Sequence, residues 1–412
     1  MRILFISNRY PPHNLGGMEI RCQETVQHLQ RRGHVCHVLT SRDEVVDRHS
    51  SENGVTRTLY LAANTNYYRP LDFFLKRPWQ ETANQCALHE ALQTFQPDVI
   101  FVWGMWNLSS RIAYRAEQWL PGRVAYSVAS YWLVDPNVHE AYWKQPARRL
   151  WARALLFPAQ WYALRVLAQE RRVYPLALEH VTCVSEYVRR KLCAAGVLPD
   201  GARVIYNGID PGPFVKAHQA RALCQGDALH LIYVGGILPH KGVHTAIEAL
   251  GLLRQRGASN DLRLALVGGG HPDYEARLRK HVAALDLHDC VTFYGRVPRE
   301  QIASLLGDSD AFLFTSTWEE PIARTVMEAM AAGVPVIGTA VGGQKEMLHD
   351  GINALVFAPD DAAQLADCIV RLQHDPALRL RLADAGQRTV LECFTLERMV
   401  DQMEAWLQET VA

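Results

Sequence analysis

Thr-Ser-Thr-Trp-Glu-Glu-Pro-Ile-Ala-Arg-Thr-Val-Met-Glu-Ala-Met-Ala-Ala-Gly-Val-Pro-Val-Ile-Gly-Thr, residues 315–339, is the stretch that decides the fold. The spacing of its apolar residues predicts a helix over 322–332, and the apolar run Val334–Gly338 predicts a buried strand. A helix that leads directly into a buried strand is typical of an α/β fold with a parallel sheet. Two carboxylates, Glu320 and Glu328, flank the predicted helix start.

The same alternation of apolar runs and helix-period segments continues in both directions. In the C-terminal half, strands are predicted at 229–234, 262–267, 291–294, 311–315 and 355–357, with helices at 242–256, 273–286 and 299–307. In the N-terminal half, strands are predicted at 3–7, 34–40, 99–103 and 124–128, with helices at 18–32 and 108–119. Strands separated by helices form parallel sheets, so we expect two doubly wound, Rossmann-like α/β domains.

The length of 412 residues exceeds what a single ordinary core accommodates. Asn-Gly and Pro-Gly-Pro turn sequences within 203–214 mark the connection between the domains. The predicted domains are therefore 1–210 and 211–412, with terminal helices over about 376–412 that pack back on the first domain. Such folds bind ligands at the carboxyl ends of their strands, so we expect the two domains to face each other across a cleft.

The composition narrows the class of protein. The 43 basic and 43 acidic residues cancel, which argues against a nucleic-acid partner. The nine cysteines contain no Cys-x-x-Cys pair and are expected to be reduced thiols. The N-terminal apolar run is too short for a signal peptide, and no window offers the roughly 18 apolar residues of a membrane span. We therefore expect a cytoplasmic protein, soluble or peripherally attached to the cytoplasmic face of the membrane.

The predicted helix start at 322 has the chemistry of a sugar-nucleotide site. The first N–H groups of a helix are unpaired and lie at the positive end of its dipole, where a diphosphate can bind. The carboxylates of Glu320 and Glu328 accept hydrogen bonds, and the hydroxyls of a ribose and a hexose donate them. The stretch therefore favours a nucleoside diphosphate sugar, UDP- or GDP-linked, as ligand.

The two glutamates resemble the E-x7-E motif of the retaining glycosyltransferases of family 4, and the resemblance covers nearly the whole chain. That family uses the GT-B fold of two facing Rossmann-like domains. The resemblance implies that Glu320 contacts the hexose and that Glu328 contacts the ribose. The predicted helix start adds Ile322, Ala323, Arg324 and Thr325 as donor contacts. The alternative for this stretch is a plain charged helix face.

One departure lies within the motif itself. The family most often has Glu-Gly-Phe-Gly where this chain has Glu320-Pro-Ile-Ala323. Pro321 suits the first position of the predicted helix, because the N–H that it lacks would be unpaired there. Ala323 in place of glycine leaves less room for the donor, so we expect the donor geometry to differ.

A second motif, Tyr233-Val-Gly-Gly-Ile-Leu-Pro-His-Lys-Gly242, predicts a strand, a glycine turn and a lysine before a helix. It resembles the family's G-R-x-x-x-x-K-G loop, which implies that Lys241 binds the diphosphate and helps to neutralise the leaving group. A solvated lysine is the alternative, although a cation is unfavourable in the first turn of a helix. We assign Lys241 and Glu320 as the catalytic residues.

Gly236 stands where the family usually has an arginine, and it is included among the donor-binding residues. Without that arginine, the chain lacks a guanidinium that could bind a phosphate through two N–H groups at once, and lysine does not reproduce this geometry. Arg324 is the expected substitute. The alternative for Arg324 is an i,i+4 ion pair with Glu328 on the helix surface.

Further glycine loops match the family. Gly16 and Gly17, after the first strand, would let the backbone approach a phosphate or sugar closely, and the alternative is a turn that caps the next helix. The loop Val267-Gly-Gly-Gly-His-Pro272 resembles the family loop near the nucleotide base, which assigns a donor contact to Gly269. Gly342-Gly343, followed by Lys345 and Glu346, resembles a further family loop near the sugar. The alternative is a plain turn at the start of a helix.

A third departure falls at Ala129 and Ser130, where the family's strand ends in His-Asp or His-Gly. Ser130 is the expected sugar contact in this chain, since a hydroxyl replaces one hydrogen bond of an imidazole.

The Asp-Ser-Asp sequence at 308–310 resembles the D-x-D metal-binding motif of the other large glycosyltransferase fold. We reject a metal there, because Asp308 ends a predicted helix and Asp310 precedes a strand, and we expect neither metal nor cofactor.

The segment 143–172 carries seven basic residues against one acidic residue, Glu170, interleaved with aromatic residues. The basic residues are Lys144, Arg148, Arg149, Arg153, Arg165, Arg171 and Arg172, and the aromatic ones are Trp143, Trp151, Phe157, Trp161 and Tyr162. This composition suits an amphipathic segment on an anionic membrane. The alternative is a pair of helices that cover the acceptor side of the cleft, with arginines facing solvent.

The sequence thus predicts a retaining, metal-independent glycosyltransferase. It would move a hexose from a nucleoside diphosphate sugar to a hydroxyl of a glycan or lipid-linked acceptor, in the synthesis of a cell-surface polysaccharide or glycoconjugate. The departures at Gly236 and Ala129 leave a second reading open, in which the chain is a non-catalytic sugar-nucleotide-binding or scaffold subunit. An epimerase or phosphorylase of the same fold is a third.

Overall fold

The computed structural model describes residues 1–13, 16–42, 50–63, 68–145, 150–220, 229–257 and 262–412. Its contacts divide the chain into two compact units. The first consists of Met1–Val184, Val188–Ile205 and Val400–Ala412, and the second of Ser185–Tyr187 and Tyr206–Met399. The change of unit between Ile205 and Tyr206 falls within the turn-rich segment 203–214.

The first unit contains a sheet of eight strands in the order β3-β4-β2-β1-β5-β6-β7-β8. The strands are β1 (Arg2–Ser7), β2 (Val35–Ser41), β3 (Ser50–Glu52), β4 (Val55–Leu59), β5 (Val99–Gly104), β6 (Val124–Val128), β7 (His180–Cys183) and β8 (Arg203–Val204). All neighbours pair in parallel except β3 and β4, which are antiparallel. The order reverses between β1 and β5, and this is the switch point at which doubly wound sheets bind ligands.

Helices cover this sheet. They are α1 (Gly17–Arg31), α2 (Pro70–Leu75), α3 (Arg77–Phe95), α4 (Ser110–Trp119), α5 (Val138–Trp143) and α6 (Leu150–Val173). Two more, α7 (Glu186–Ala194) and α15 (Leu396–Val411), contain the points at which the chain changes unit. Within the first unit, Glu404 of α15 accepts hydrogen bonds from Arg32 and His34, each at 2.7 Å. Residues 400–412 therefore pack on the N-terminal sheet rather than on the C-terminal one.

The second unit contains a six-stranded sheet in the order β11-β10-β9-β12-β13-β14, parallel throughout. The strands are β9 (Leu229–Val234), β10 (Leu262–Val267), β11 (Val291–Gly295), β12 (Ala311–Phe314), β13 (Val336–Gly338) and β14 (Ala354–Val356). The helices are α8 (Gly212–Ala220), α9 (Val243–Gln255), α10 (Pro272–Ala284), α11 (Arg299–Gly307), α12 (Arg324–Ala331), α13 (Ala362–His374) and α14 (Pro376–Cys393). The switch point lies between β9 and β12.

The apolar runs of the sequence explain both cores. Every residue of β5 and of β12 is buried, as expected for parallel strands that helices cover on both faces. Leucines and other aliphatic residues of β9, β10, α9 and α13 form one large core in the second unit. The prediction of two doubly wound parallel-sheet domains is therefore confirmed.

The start of α12 differs from the prediction. The helix begins at Arg324 with Ala323 as its N-cap, so Pro321 precedes it instead of occupying its first position. The sequence reading also missed the short strands β3, β4, β7 and β8, which lack a clear apolar run of their own. Residues 321–323, which lie between Glu320 and the start of α12, are part of the candidate site.

Candidate functional site

Three loops meet at the switch point of the second sheet, and glycines let their backbones touch. A Cβ at Gly268, where φ is +140°, would lie 1.8 Å from the carbonyl oxygen of Gly235. A Cβ at Gly242, where φ is +65°, would lie 2.0 Å from the carbonyl oxygen of Thr315. These contacts join the ends of β9, β10 and β12, because no larger residue fits between them.

Lys241 and Glu320 meet at this junction. Lys241 ends a single 3-10 turn, Pro239–Lys241, and Gly242 separates it from α9, so it lies before that helix, as predicted. Its Nζ forms an ion pair with Oε1 of Glu320, a buried residue. Oγ of Ser316 donates to the same oxygen at 3.1 Å. The two assigned catalytic residues therefore form one ion pair across the switch point.

Two aromatic rings lie beside this ion pair. Nζ of Lys241 is 5.7 Å from the ring centroid of Trp318, whose side chain is partly exposed. The ring of His240 stands edge-on to the same indole at 6.0 Å. Burial, followed by the charge of Lys241, lowers the pKa of His240, so its imidazole is neutral near pH 7. An indole and an imidazole therefore flank the Lys241–Glu320 pair.

The turn at Gly342 and Gly343 supports the Glu320 loop from behind. The N–H of Gly343 donates to the carbonyl of Glu320 at 2.8 Å. A Cβ at Gly343 would lie 1.8 Å from the carbonyl oxygen of Pro321, so only glycine allows this approach. The two glycines therefore hold the motif loop in place, which is a structural role that the sequence reading did not foresee.

Glu346, which ends the same turn, has backbone partners. Its two carboxylate oxygens accept from the N–H groups of Glu186 and Tyr187 at 2.9 and 2.7 Å. Burial and a hydrogen bond to Glu346 raise the pKa of Tyr206 to about 12. These contacts show that Glu346 organises the segments at 185–187 and 206 within the second unit.

The start of α12 lies next to Glu320 along the chain. Ala323 occupies the N-cap and has no side-chain acceptor for the first N–H groups of the helix. Ile322 and Ala323 are buried, whereas Arg324 and Thr325 are half-buried. A helix start without a side-chain cap is suited to binding an anion, since its N–H groups need an acceptor.

Glu328, one turn into α12, is clamped by two arginines. Its Oε1 accepts from Nε of Arg324 at 2.8 Å and from a terminal nitrogen of Arg299 at 2.9 Å. Its side chain is 3% exposed. The i,i+4 pair given above as the alternative for Arg324 is thus present. Arg299 was missed, because it opens α11, 29 residues before Glu328, and no local spacing connects the two.

Gly236 and Gly269 differ in how much room they have. A Cβ at Gly236 would meet nothing closer than 3.6 Å, so a side chain fits there. A Cβ at Gly269 would lie 3.0 Å from the side chain of Arg296, which the sequence reading also missed. The carbonyl of Gly236 accepts from the hydroxyl of Tyr233 at 2.9 Å, and burial raises the pKa of that phenol.

The first unit places Gly16 and Gly17 at the start of α1, with Gly16 as the N-cap. The N–H of Gly16 donates to a carboxylate oxygen of Glu19 at 3.0 Å, and burial raises the pKa of Glu19. A Cβ at Gly16 would meet no atom within 4 Å. The helix-capping role that the sequence left open is therefore present, and the space beside Gly16 is open. Asn14 and Leu15 lie outside the described residues.

Asn8 lies at the switch point of the first sheet, directly after β1, and the sequence reading did not single it out. It is 1% exposed, and neither Oδ1 nor Nδ2 has a hydrogen-bond partner in the described structure. A Cβ at Gly104, the last residue of β5, would lie 2.4 Å from that Oδ1. An unpaired buried amide costs free energy, so its position at a ligand-binding edge marks it as a functional candidate. Its place after the first strand was the available signal.

Ala129 and Ser130 follow β6 directly and are half-buried. Tyr131, the next residue, is buried, and Nζ of Lys191 lies 4.2 Å from its ring centroid. Ser130 therefore stands at a carboxyl strand end, as expected, and its predicted sugar contact stays a prediction.

The aspartates at 308–310 have structural roles. Asp308 ends α11, and a carboxylate oxygen of Asp310 accepts from the N–H of His230 at 2.8 Å. Within the described ranges, no three His, Cys, Asp or Glu side chains cluster in a way that could hold a metal ion.

Comparison with known proteins gives two family matches. Residues 15–212 match the model described as Glycosyltransferase Family 4, and residues 216–389 match the model described as Glycosyl transferases group 1. The amylovoran biosynthesis glycosyltransferase AmsK of Erwinia amylovora is 30% identical over 224 residues, which cover 52% of this chain and 52% of that protein. The alignment thus spans about half the length of this relative.

Solved structures resemble the chain over nearly its whole length. Sucrose-phosphate synthase from Thermosynechococcus elongatus has a TM-score of 0.74 at 22% identity, covering 99% of this chain and 98% of that one. HepE from Anabaena, solved in complex with UDP-glucose, has a TM-score of 0.69 at 20% identity, covering 99% of this chain and 100% of that one. These likenesses show a common GT-B fold. The two family matches, which together extend over most of the chain, show that it belongs to the glycosyltransferases of family 4 and group 1.

Proposed function

We propose that this glycosyltransferase transfers a hexose from a nucleoside diphosphate sugar to a hydroxyl, with retention of the anomeric configuration and without a metal ion. One observation carries the proposal. The Lys241–Glu320 ion pair lies at the switch point of the second sheet, and Glu320 belongs to the loop that leads into the uncapped start of α12. This arrangement offers a cation and N–H donors for a diphosphate, next to a carboxylate for sugar hydroxyls.

Charge stabilisation of the leaving diphosphate is the chemical task of this site. When the bond to the anomeric carbon breaks, negative charge builds up on the diphosphate, and fixed cations and N–H groups lower the barrier. We assign this task to Lys241 and the start of α12, with Arg324 as a further cation. Donor binding would exchange the contact of Lys241 with Glu320 for one with phosphate, which frees Glu320 to accept from a hexose hydroxyl.

The carboxylate of Glu328 is oriented so that it can bind a ribose. Both arginines donate to its Oε1, and among the described residues no donor is recorded on its Oε2. A carboxylate fixed by one oxygen keeps the other in a defined position, where it can accept from ribose hydroxyls. We therefore propose that Oε2 is the ribose-binding atom, and that Ile322, Ala323, Thr325, Gly236 and Gly269 line the rest of the donor site.

The proposed substrate classes have support from other proteins. The Anabaena neighbour was solved with UDP-glucose, which supports a nucleoside diphosphate sugar as donor. The Erwinia relative acts in amylovoran biosynthesis, which supports a glycan or lipid-linked acceptor in cell-surface polysaccharide or glycoconjugate synthesis. We place the reaction in the cytoplasm or at the cytoplasmic face of a membrane, and Gly16, Gly17 and Ser130 are the proposed contacts from the first unit.

A non-catalytic sugar-nucleotide-binding or scaffold subunit is the second candidate. It is favoured by the absence of a guanidinium at Gly236 and of an imidazole at Ala129. A catalytic protein releases nucleoside diphosphate from the matching donor when an acceptor is present, whereas a scaffold binds the donor without turnover. Because a side chain fits at position 236, the variant Gly236→Arg should tighten diphosphate binding in either case.

Thermal shift measurements test donor binding. Wild type, Lys241→Ala and Glu328→Ala are compared with UDP, GDP, dTDP and their hexose conjugates, and Lys280→Ala, an exposed lysine of α10, serves as control. A ligand at 100 times its dissociation constant stabilises the folded state by about 2.7 kcal/mol. We expect one nucleotide to stabilise wild type and the control but neither site variant. If no nucleotide stabilises wild type, the donor site as proposed is wrong.

Turnover and stereochemistry need a second measurement. Release of nucleoside diphosphate in the presence of a glycan acceptor separates the enzyme from the scaffold. The anomeric configuration of the purified product, compared with that of the donor by NMR, tests retention. Full activity after prolonged treatment with EDTA is the expected result for a metal-independent enzyme, and a loss that Mg²⁺ restores would contradict it.

A further inference from the structure

The helix α6 exposes large aromatic side chains to solvent. Phe157, Trp161 and Tyr162 are 62%, 53% and 54% exposed, although an ordinary helix turns such residues toward the core. The face of α6 that packs inward carries Ala163 and Leu167 instead. The amphipathic pattern of this helix is thus incomplete, because large apolar groups lie on both faces.

The neighbouring helix α2 adds apolar groups that the sequence reading did not include. Phe73 and Phe74 of α2 pack inward, and the ring centroid of Phe74 lies 5.6 Å from that of Trp143 and 6.1 Å from that of Tyr162. Leu71 and Leu75, one turn apart on the same helix, are 69% and 70% exposed. The exposed apolar surface therefore extends over two helices that pack against each other.

We call this surface the α2/α6 face. It consists of Leu71, Leu75, Phe157, Trp161, Tyr162, Arg165 and Arg172. Arg148 and Arg149 of the basic segment lie outside the described residues, so the face is defined without them. Single exposed apolar residues are normal on a protein surface, but a group of five on adjacent helices indicates an interaction site.

Ion pairs remove the nearby carboxylates from this face. Glu170 of α6 binds Arg77 and Arg111, which connect it to α3 and α4 in a cluster with the buried Glu81. Its side chain is only 15% exposed as a result. The one acid of the basic segment is therefore neutralised within the unit and does not oppose an anionic partner.

A second carboxylate is withdrawn in the same way. Glu140 of α5 is buried and accepts from Arg171 at 2.8 Å and from Lys144 at 3.4 Å. Arg165 instead lies over the ring of Trp161, with its guanidinium carbon 5.1 Å from the ring centroid, and Arg172 is exposed. The face thus presents arginines along one helix together with interfacial aromatic residues.

We propose that the α2/α6 face docks the protein on the surface of an anionic lipid bilayer. Tryptophan and tyrosine favour the boundary between acyl chains and headgroups, and leucine and phenylalanine insert just below it. Arginines attract anionic headgroups, while their apolar stems remain over the aromatic rings. Within the described residues, no helix combines the length and apolar character that crossing a bilayer needs. The proposed docking is attachment to the bilayer surface through the α2/α6 face.

Vesicle flotation tests this docking without any need for turnover. The probes are vesicles of phosphatidylcholine alone and vesicles of phosphatidylcholine mixed with phosphatidylglycerol. Wild type is compared with an aromatic variant, Phe157→Ser plus Trp161→Ser, and with a charge variant, Arg165→Glu plus Arg172→Glu. Matched controls are Trp119→Ser, another partly exposed tryptophan of the first unit, and Arg381→Glu plus Arg388→Glu, two exposed arginines of α14.

Wild type and both controls should bind the anionic vesicles and bind the neutral ones at least about tenfold more weakly. The charge variant should lose about tenfold or more of its affinity for anionic vesicles, and added salt should weaken wild type in the same direction. The aromatic variant should lose binding with little change in its salt dependence. Unchanged circular dichroism and melting temperature would show that the substitutions leave the fold intact.

Two outcomes would overturn the proposal. Wild type that fails to float with anionic vesicles, or variants that float as well as wild type, would show that the face does not meet lipid. Light scattering in which wild type is a dimer and the aromatic variant a monomer would assign the face to a second copy of the chain. Donor binding is measured separately on the same samples, so failure of docking remains distinct from failure of the proposed reaction.

Discussion

The two switch points of this chain are built differently. At the second, between β9 and β12, charged side chains already bind each other: Lys241 with Glu320, and Glu328 with two arginines. At the first, between β1 and β5, the side-chain amide of Asn8 is buried and has no hydrogen-bond partner among the described residues, and the space beside Gly16 is open. The second site is therefore organised before any ligand binds. The first site has an amide donor and acceptor, on Asn8, with which a ligand or water could form hydrogen bonds.

The largest effect on stability is expected when a methyl group is placed in one of the close glycine contacts at the second switch point. Gly268→Ala would push a methyl group into the carbonyl of Gly235, so we expect a loss of about 3 kcal/mol or more in the free energy of unfolding. Gly236→Ala, with open space at the same loop, should change stability by less than about 1 kcal/mol. Urea unfolding measures both. Equal effects would show that the loops are not locked together.

Removal of Lys241 should have the next largest effect, and turnover should fall more than stability. Lys241→Ala should lower kcat by about 100- to 1000-fold, since a fixed charge at the leaving group is lost. The melting temperature should also fall, because Glu320 is buried and loses its ion-pair partner, so turnover is compared at a temperature at which both proteins are folded. Lys280→Ala is the matched control. Activity within a few fold of wild type would remove Lys241 from the catalytic role.

A smaller effect is expected from Arg299, which sharpens the idea that the second site is organised in advance. Arg299→Ala leaves the buried Glu328 with one arginine, so nucleotide affinity should fall by about five- to tenfold. The loss should disappear in a background that carries Glu328→Gln, and with a 2′,3′-dideoxy nucleotide, because Arg299 acts through Glu328. Additive losses, measured by calorimetry, would show that Arg299 acts elsewhere.

The smallest effect on stability is expected at the first switch point. Asn8→Ala breaks no recorded hydrogen bond, so the free energy of unfolding should change by about 1 kcal/mol or less. Transfer activity should nevertheless fall if the amide serves a ligand. Chemical denaturation and turnover of the same sample provide both numbers. A large loss of stability would mean that Asn8 is a structural residue.

Much of the site could be predicted from the sequence because the motifs are local. The E-x7-E spacing placed Glu320 and Glu328 around a helix start, and the glycine loop placed Lys241 before a helix. The exact start of α12 could not be predicted in this way, because Pro321 is compatible with the first helical position and with the extended chain that the structure shows. Packing of Pro321 against Gly343 decides between the two.

Other contacts had no local signal at all. Arg299 and Glu328 are far apart in the sequence and meet only in the folded chain, where α11 and α12 both begin beyond the carboxyl ends of strands of the second sheet. The exposed leucines of α2 join the aromatic residues of α6 only through the packing of Phe74. Sequence periodicity predicts which face of an element is apolar, but not which apolar face remains uncovered.

By itself, the sequence determined the two parallel-sheet domains and the family, since alternating apolar runs, helix periods and glycine-rich strand ends are properties of short segments. The tertiary structure alone decided that Lys241 pairs with Glu320, that two arginines clamp Glu328 and that the side-chain amide of Asn8 finds no partner among the described residues. The physical reason is that hydrogen bonds and ion pairs depend on distances of a few ångströms between residues that only the folded chain brings together.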